Sequence, residues 1–220
     1  MLNHSVFTID TYTGTQIPAA LLKQFGRLRY ACFAQDDPYV QMNHQDKTEL
    51  DHFDTRPTTL HVLVTSKQPK RPKQLVSAIR LIPTVEDYDL EQPSWGYLTQ
   101  NLTLPKAADV VEGSRWVGKS SRTYEGALST ALLMLQLHQL AQEHGFQQLI
   151  RVIAAKSEAW LNKRQTDVYA ASHRHNTERD GDILVTTMAL DQQFVSAAKN
   201  LMLQSMDFGL VKEIAVVRTA

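Results

Sequence analysis

The chain has 220 residues, 43% apolar and 21% charged, a composition that suits a single soluble globular domain over 1–220. Its 23 Lys and Arg balance 23 Asp and Glu, so net charge offers no attraction for nucleic acid or a membrane surface. The single cysteine, Cys32, excludes an internal disulfide and a multi-cysteine metal site, and fits a reducing cytoplasm. The opening MLNHSVFTID has no basic segment leading into an apolar one. The most apolar stretch, ALLMLQLHQLA, is interrupted by Gln136, His138 and Gln139, so neither a signal peptide nor a membrane span is expected.

VFTIDTY reads as a short strand. IPAALLKQFGRLRYACFAQ places Leu21, Leu22, Phe25, Leu28 and Phe33 at spacings near three and four, which predicts a helix with Pro18 in its first turn. Asp36 to Arg56 is polar and predicted mostly as loop. TTLHVLV and QLVSAIRLI are predicted strands joined by the basic turn TSKQPKRPK, the second ending at Pro83. After a loop region from Val85 to Ala108, ADVVEGSRWV reads as a strand. Tyr124 to His144 is the strongest predicted helix, with apolar Leu128, Leu132, Leu135 and Leu140 and Gly145 as its stop. QQLIRVIAA is then a strand, KSEAWLNKR a short helix and SHRHNTERDGD a polar loop. ILVTTMAL is a strand, QQFVSAAKNLMLQSM a helix and VKEIAVVR a final strand. This order predicts a mixed α/β (α+β) fold: an early helix, an antiparallel hairpin, then strand–helix–strand.

GSRWVGKS, Gly113 to Ser120, satisfies the phosphate-loop pattern G-x-x-x-x-G-K-[ST]. Such a loop needs small residues whose N–H groups turn inward around phosphate, with a helix starting at the Lys. Arg115, Trp116 and Val117 instead favour an extended strand, and the helix begins too late, near Tyr124. No apolar strand ends in the Asp that would hold magnesium. The match reads as an accident of spelling.

Charge also sits among apolar residues in several separate segments. Arg29 lies on the first predicted helix, Glu49, Asp51 and Asp54 in ELDHFD, Arg80 within an apolar strand, and Glu112 and Arg115 in VVEGSRW. Singly, each fits a solvated surface residue; together they would be tolerable indoors only as a mutually satisfied cluster. On a regular strand Glu112 and Arg115 point to opposite faces, so their cooperation requires a bulge or bend.

RYACF, ELDHFD, RLIPT and EGSRW, in that order and spacing, resemble the R-x-x-x-F, E-x-D-x-x-D, R-L-x-P-T and E-x-S-R-[FW] blocks of the acyl-homoserine lactone (autoinducer) synthases. The resemblance covers about Leu21 to Leu149. It departs from the family at Tyr39, where a Trp is usual, and after Ala155.

The resemblance implies a GNAT-like acyltransferase fold, a twisted mixed sheet flanked by helices. It implies an enzyme that joins the amine of S-adenosylmethionine to an acyl chain carried as a thioester on acyl carrier protein. Lactonisation with release of methylthioadenosine then gives a quorum-sensing signal. The amine must lose a proton before attack, and Glu112 is the first candidate base, Asp51 the second. Backbone N–H groups at a strand bulge are expected to meet the oxyanion. Arg29, Asp54, Arg80, Ser114 and Arg115 are expected around the S-adenosylmethionine pocket with Asp51, and Phe33, Tyr39 and Trp116 as its aromatic walls.

Met134, Leu137, Val152 and Ala154 are the candidates for the acyl pocket, between the sheet and the 124–144 helix. Val152 to Ala155 lacks the Thr often found with 3-oxo chains, so an acyl chain unsubstituted or hydroxylated at C3 is expected. GKSSRTYEGAL lacks the R-x-x-G-x-[GA] turn that binds coenzyme A, which favours a carrier-protein donor. Acidic acyl carrier protein would dock on basic residues: Lys119, Arg122, Lys156, Lys163 and Arg164, with KQPKRPK a further candidate. His173 and His175 are too few for a metal site, and neither metal nor cofactor is expected. A GNAT-like acyltransferase acting on another amine, and a non-catalytic carrier-protein-binding module, also fit these residues.

Overall fold

The computed structural model describes residues 6–33, 42–67, 72–118, 123–154, 175–177 and 181–207. Helix α1 (Ala19–Phe33) follows strand β1 (Val6–Thr13), and Phe25, Gly26 and Arg29 form its buried stripe, so Arg29 points inward one turn after Phe25. The polar segment predicted as loop holds a small strand pair, β2 (Met42–Asn43) with β3 (Thr48–Glu49), and a 3-10 turn at His52–Thr55. Strands β4 (Leu60–Lys67) and β5 (Gln74–Pro83) form the expected antiparallel hairpin. The 85–108 region carries 3-10 turns at Asp89–Glu91 and Pro93–Trp95 and a single helical turn, α2 (Gly96–Thr99).

Strand β6 (Val110–Gly118) includes the first six residues of the phosphate-loop spelling, so that segment is extended sheet; Lys119 and Ser120 lie outside the described residues. Helix α3 (Tyr124–His144) has the predicted bounds. Thr123 caps its start by accepting from the Gly126 N–H at 3.2 Å, and Gly145 ends it at φ 76°, a left-handed conformation that suits glycine. Then come β7 (Gln148–Ala154), β8 (His175–Thr177), β9 (Gly181–Ala189) and α4 (Gln192–Asp207). Strand β8 falls where the polar loop was expected. The predicted short helix 156–164 and final strand 211–218 lie outside the described residues.

Among the described residues the main sheet is mixed, in the order β1-β4-β5-β6-β7-β9-β8, and only β6 and β7 pair in parallel. Helices α3 and α4 cover one face, over a core that includes Val62, Ile79, Leu81, Val111, Leu132, Leu137 and Leu149. The other face carries α1 over Phe25, Leu63, Ala78 and Val117, and the 85–108 segment over Ile82, Tyr88, Leu98, Ile150 and Val185. Charged side chains lie between these two smaller clusters.

The β6–β7 pairing is short. Val110, Val111 and Glu112 oppose Gln148, Leu149 and Ile150, and no rung follows although both strands continue. The sheet therefore forks just beyond Glu112. No helix among the described residues is long and apolar enough to cross a membrane.

Candidate active site

The E-x-D-x-x-D block is a capping box. Asp51 accepts from the Phe53 N–H at 2.9 Å, while Asp54 accepts from the Asp51 N–H at 2.8 Å. These local bonds fix both carboxylates, leaving Asp54 Oδ1 and both Asp51 oxygens turned toward arginines. Arg29 pairs with Glu49, with Asp54 at 2.6 Å and with Asp51 at 3.5 Å. Arg80, opposite His61 on the hairpin, reaches Asp51 at 2.5 Å, Asp54 at 3.0 Å, Asp89 at 3.1 Å and the Ser114 hydroxyl at 3.0 Å. Arg115 reaches Asp89 at 2.5 Å, Glu49 at 3.2 Å and Asp51 at 3.4 Å.

Three guanidinium groups thus face four carboxylates, all largely out of water. Planar guanidinium forks suit this shared bidentate role. Two of the three also lie over rings: Arg29 stacks on Phe25 at 5.0 Å, and Arg80 lies over Phe53 at 5.4 Å, with Arg56 over the same ring at 4.3 Å.

The required bulge is present. Ala78 opposes Val117 and Arg80 opposes Ser114, so Ile79 faces two residues, Arg115 and Trp116. Arg115 takes up the extra length at φ 56°, a left-handed conformation rare for a side-chain-bearing residue. The insertion turns Arg115 onto the face of Glu112 and Ser114. Trp116 is sent to the opposite face, where it packs against the α3-side core. Trp116 therefore does not wall the charged cluster as expected. Phe33 packs against the α1-side core beside it, and Tyr39 lies outside the described residues.

Glu112 is 2% exposed and accepts from the backbone N–H groups of Asp89 at 2.8 Å and Leu90 at 3.1 Å. Burial, and then the Asp89 carboxylate, push its carboxyl up to about 8. Asp51 and Asp54 go the other way. Burial opposes their ionisation, but Arg80, Arg115 and Arg29 hold Asp51 well below the usual carboxylate range, and Arg29 and Arg80 lower Asp54. Two kinds of carboxyl stand side by side: ionised ones locked to arginine, and one whose proton is exchangeable near neutral pH. Burial also lowers His61, whose ring donates from Nε2 to the Asp54 carbonyl at 2.9 Å.

Several contributors escaped the sequence reading. Asp89 links Arg80 and Arg115 and accepts from the Trp95 indole N–H at 3.3 Å, yet it sits in a segment with no periodicity. Glu49 belonged to a recognised block without an assigned part, and His61 gave no signal. The three acyl-pocket candidates whose side chains are described are not brought together. Met134 and Leu137 lie in the core under α3, whereas Val152 packs on the other face with Ile150 and Val185. The division follows from strand alternation, which puts Ile150 and Val152 on the Glu112 side of the sheet. The side chain of Ala154 and all of Lys119, Arg122, Lys156, Lys163 and Arg164 lie outside the described residues.

No family model and no curated protein matches the chain. Solved structures do. The AHL synthase LasI superimposes with a TM-score of 0.67 at 18% identity, over 86% of this chain and 91% of that one. The CoA-dependent acyl-homoserine lactone synthase BjaI, solved with SAM and isopentyl-CoA, gives 0.71 at 17% identity, over 97% and 93%. An acyl-CoA N-acyltransferase from Pseudomonas aeruginosa gives 0.52 at 15% identity, over 82% and 99%. Sequence blocks and architecture thus point the same way: the chain has the fold of the acyl-homoserine lactone synthases.

Proposed function

We propose that the chain makes an N-acyl-homoserine lactone from S-adenosylmethionine and an acyl thioester, releasing methylthioadenosine. The observation that carries this reading is the buried set of four carboxylates and three guanidinium groups beside Glu112, at the fork of an acyltransferase sheet. S-adenosylmethionine presents an ammonium, a sulfonium and a carboxylate. A cluster with one more carboxylate than guanidinium suits such a net cation, and its arginines suit the carboxylate. The structures of similar fold include one described with SAM and isopentyl-CoA.

Glu112 takes the ammonium proton, directly or through a water. A base whose carboxyl is pushed up to about 8 is matched to an amine far better than Asp51, which is held low. The freed amine attacks the thioester carbonyl carbon, the C–S bond breaks, and the thiol leaves with a proton. Beyond Glu112, alternate N–H groups of β6 face the fork with no ladder partner on β7, which makes them candidate donors to the oxyanion. The substrate carboxylate then attacks the carbon attached to sulfur. That C–S bond breaks, and the sulfonium departs as neutral methylthioadenosine.

The missing R-x-x-G-x-[GA] turn favours acyl carrier protein as the donor; the coenzyme A alternative draws on two similar folds described as CoA-dependent. Purified protein incubated with S-adenosylmethionine and matched acyl thioesters of either carrier, read by mass spectrometry, tests both. Acyl-homoserine lactone together with methylthioadenosine is expected, with faster turnover from the carrier protein. A folded protein that yields neither product with any donor overturns the proposal.

A further inference from the structure

Glu112 shares its face of the sheet with two guanidinium groups and pairs with neither. Arg80 opposes Ser114 across the β5–β6 ladder, which makes it a diagonal neighbour of Glu112, within reach of a long side chain. The bulge turns Arg115 onto the same face. Among the described residues, the hydrogen bonds and ion pairs of these two groups nevertheless go to Glu49, Asp51, Asp54, Asp89 and the Ser114 hydroxyl. Glu112 accepts instead from the backbone N–H groups of Asp89 and Leu90.

Asp89 is what keeps the two sides apart. Its backbone N–H holds Glu112 Oε2 at 2.8 Å, while its carboxylate faces the arginines. Asp89 Oδ2 accepts from Arg115 at 2.5 Å and from Arg80 at 3.1 Å, and Oδ1 accepts from the Trp95 indole N–H at 3.3 Å. Both oxygens are occupied, and the side chain is buried. The other neighbours of Glu112 bring no cation: Ile82 and Ile150 oppose it on β5 and β7, and Tyr88 gives its hydroxyl to the Pro105 carbonyl at 2.8 Å. Burial raises the Glu112 carboxyl most, Asp89 adds to that, and Arg80 and Arg115 act against it.

We infer that Asp89 is a positioning residue for the base: it draws Arg80 and Arg115 away from Glu112 and leaves that carboxylate unpaired for the substrate ammonium. This rests on the synthase reading above. A carboxylate locked to arginines is a poor proton acceptor, as Asp51 illustrates. Without the Asp89 charge, Arg80 and Arg115 each lose an acceptor, and the unpaired carboxylate on their face is Glu112.

Asp89→Asn keeps an acceptor for the Trp95 indole and removes the charge. The test follows kcat/KM for S-adenosylmethionine against pH at saturating acyl thioester, read by methylthioadenosine release. The acid limb should move down by about one to three pH units, the effect of a cation placed beside a carboxylate. The limiting rate should fall by about tenfold as the base weakens. The substrate's own titration is common to both proteins. Adding Arg115→Gln to Asp89→Asn removes one released guanidinium and should move the limb back toward wild type. A merely structural Asp89 would lower activity at every pH alike, with no rescue by a second loss. An unmoved limb in active Asp89→Asn overturns this inference alone. If Asp89→Asn fails to fold, the Asp89 and Leu90 amide signals of wild type decide by NMR, since both N–H groups sit on Glu112. Their titration toward about 8 supports the inference. Signals that stay constant above about pH 5 mean a paired Glu112 and overturn it. No product from any donor with folded wild type removes the synthase reading and this inference together.

Discussion

Glu112 and Arg115, three residues apart on one strand, project from the same face of the sheet. The bulge opposite Ile79 makes this so, and its cost is borne at a single backbone position, Arg115 at φ 56°. A side-chain-bearing residue loses roughly 1 kcal/mol there relative to glycine. Arg115→Gly and Arg115→Ala remove the same ion pairs with Glu49, Asp51 and Asp89. The glycine variant should nevertheless be the more stable by about 1 kcal/mol in urea unfolding. Equal stabilities would mean that the bulge relaxes once the side chain is gone.

Glu112→Gln keeps the shape and removes the proton acceptor. Turnover should fall by about 10²- to 10⁴-fold, the usual worth of a positioned base, with the fold retained. Retained turnover in a folded variant would leave Glu112 only as the anchor of the Asp89–Glu91 turn through its two backbone hydrogen bonds.

The pH dependence of stability has two limbs of opposite sign. Asp51 and Asp54 are held low in the folded protein, so their contribution is present above the unfolded carboxylate range near 4 and lost as pH falls through their folded values. Glu112 is raised. Its contribution is full below the unfolded value near 4.5 and is lost as pH rises toward about 8. Melting temperature followed from acid to mildly alkaline pH should therefore decline on the high side in wild type, and Glu112→Gln should flatten that decline alone.

Asp54→Asn removes the more deeply buried of the two carboxylates that Arg29 and Arg80 share. Breaking such an ion pair typically costs about 3–5 kcal/mol, so a large drop in the denaturation midpoint is expected. A loss below about 1 kcal/mol would show that Asp51 and Glu49 compensate.

Gly113 is the first residue of β6 beyond its last rung with β7, on the face that carries Leu149. A Cβ there would lie 2.8 Å from Leu149 Cδ1. Gly113→Ala should cost about 1–3 kcal/mol by overpacking. Combining it with Leu149→Ala should give less destabilisation than the two single changes summed, because the second removes the clash. Strict additivity would place the role of Gly113 elsewhere.

The parts legible in the sequence are those encoded within a few residues of themselves. Helix α3 announced its end with Gly145, Arg80 stood out as a charge in an apolar strand, and the E-x-D-x-x-D block carried Asp51 and Asp54 together. Asp89 was not legible because its partners Arg80 and Arg115 are positioned by the sheet, not by nearby sequence. Trp116 was misplaced for a related reason. The need for a bulge could be inferred, but its location between Ser114 and Val117 decides which neighbour changes face. Met134 and Val152 fell on opposite faces because sheet alternation is fixed by register, which pairing with β6 and β9 sets.

The three rungs between β6 and β7 also determine how the molecule holds together mechanically. Among the described residues four strands lie on one side of that seam and three on the other, and only a few backbone hydrogen bonds couple them. The core beneath α3 and α4 spans the seam, joining Ile79 and Leu81 to Leu149 and Met188. Cohesion between the two halves thus resides in side-chain packing, so native-state amide exchange should resolve them as separate cooperative units whenever that core is weakened.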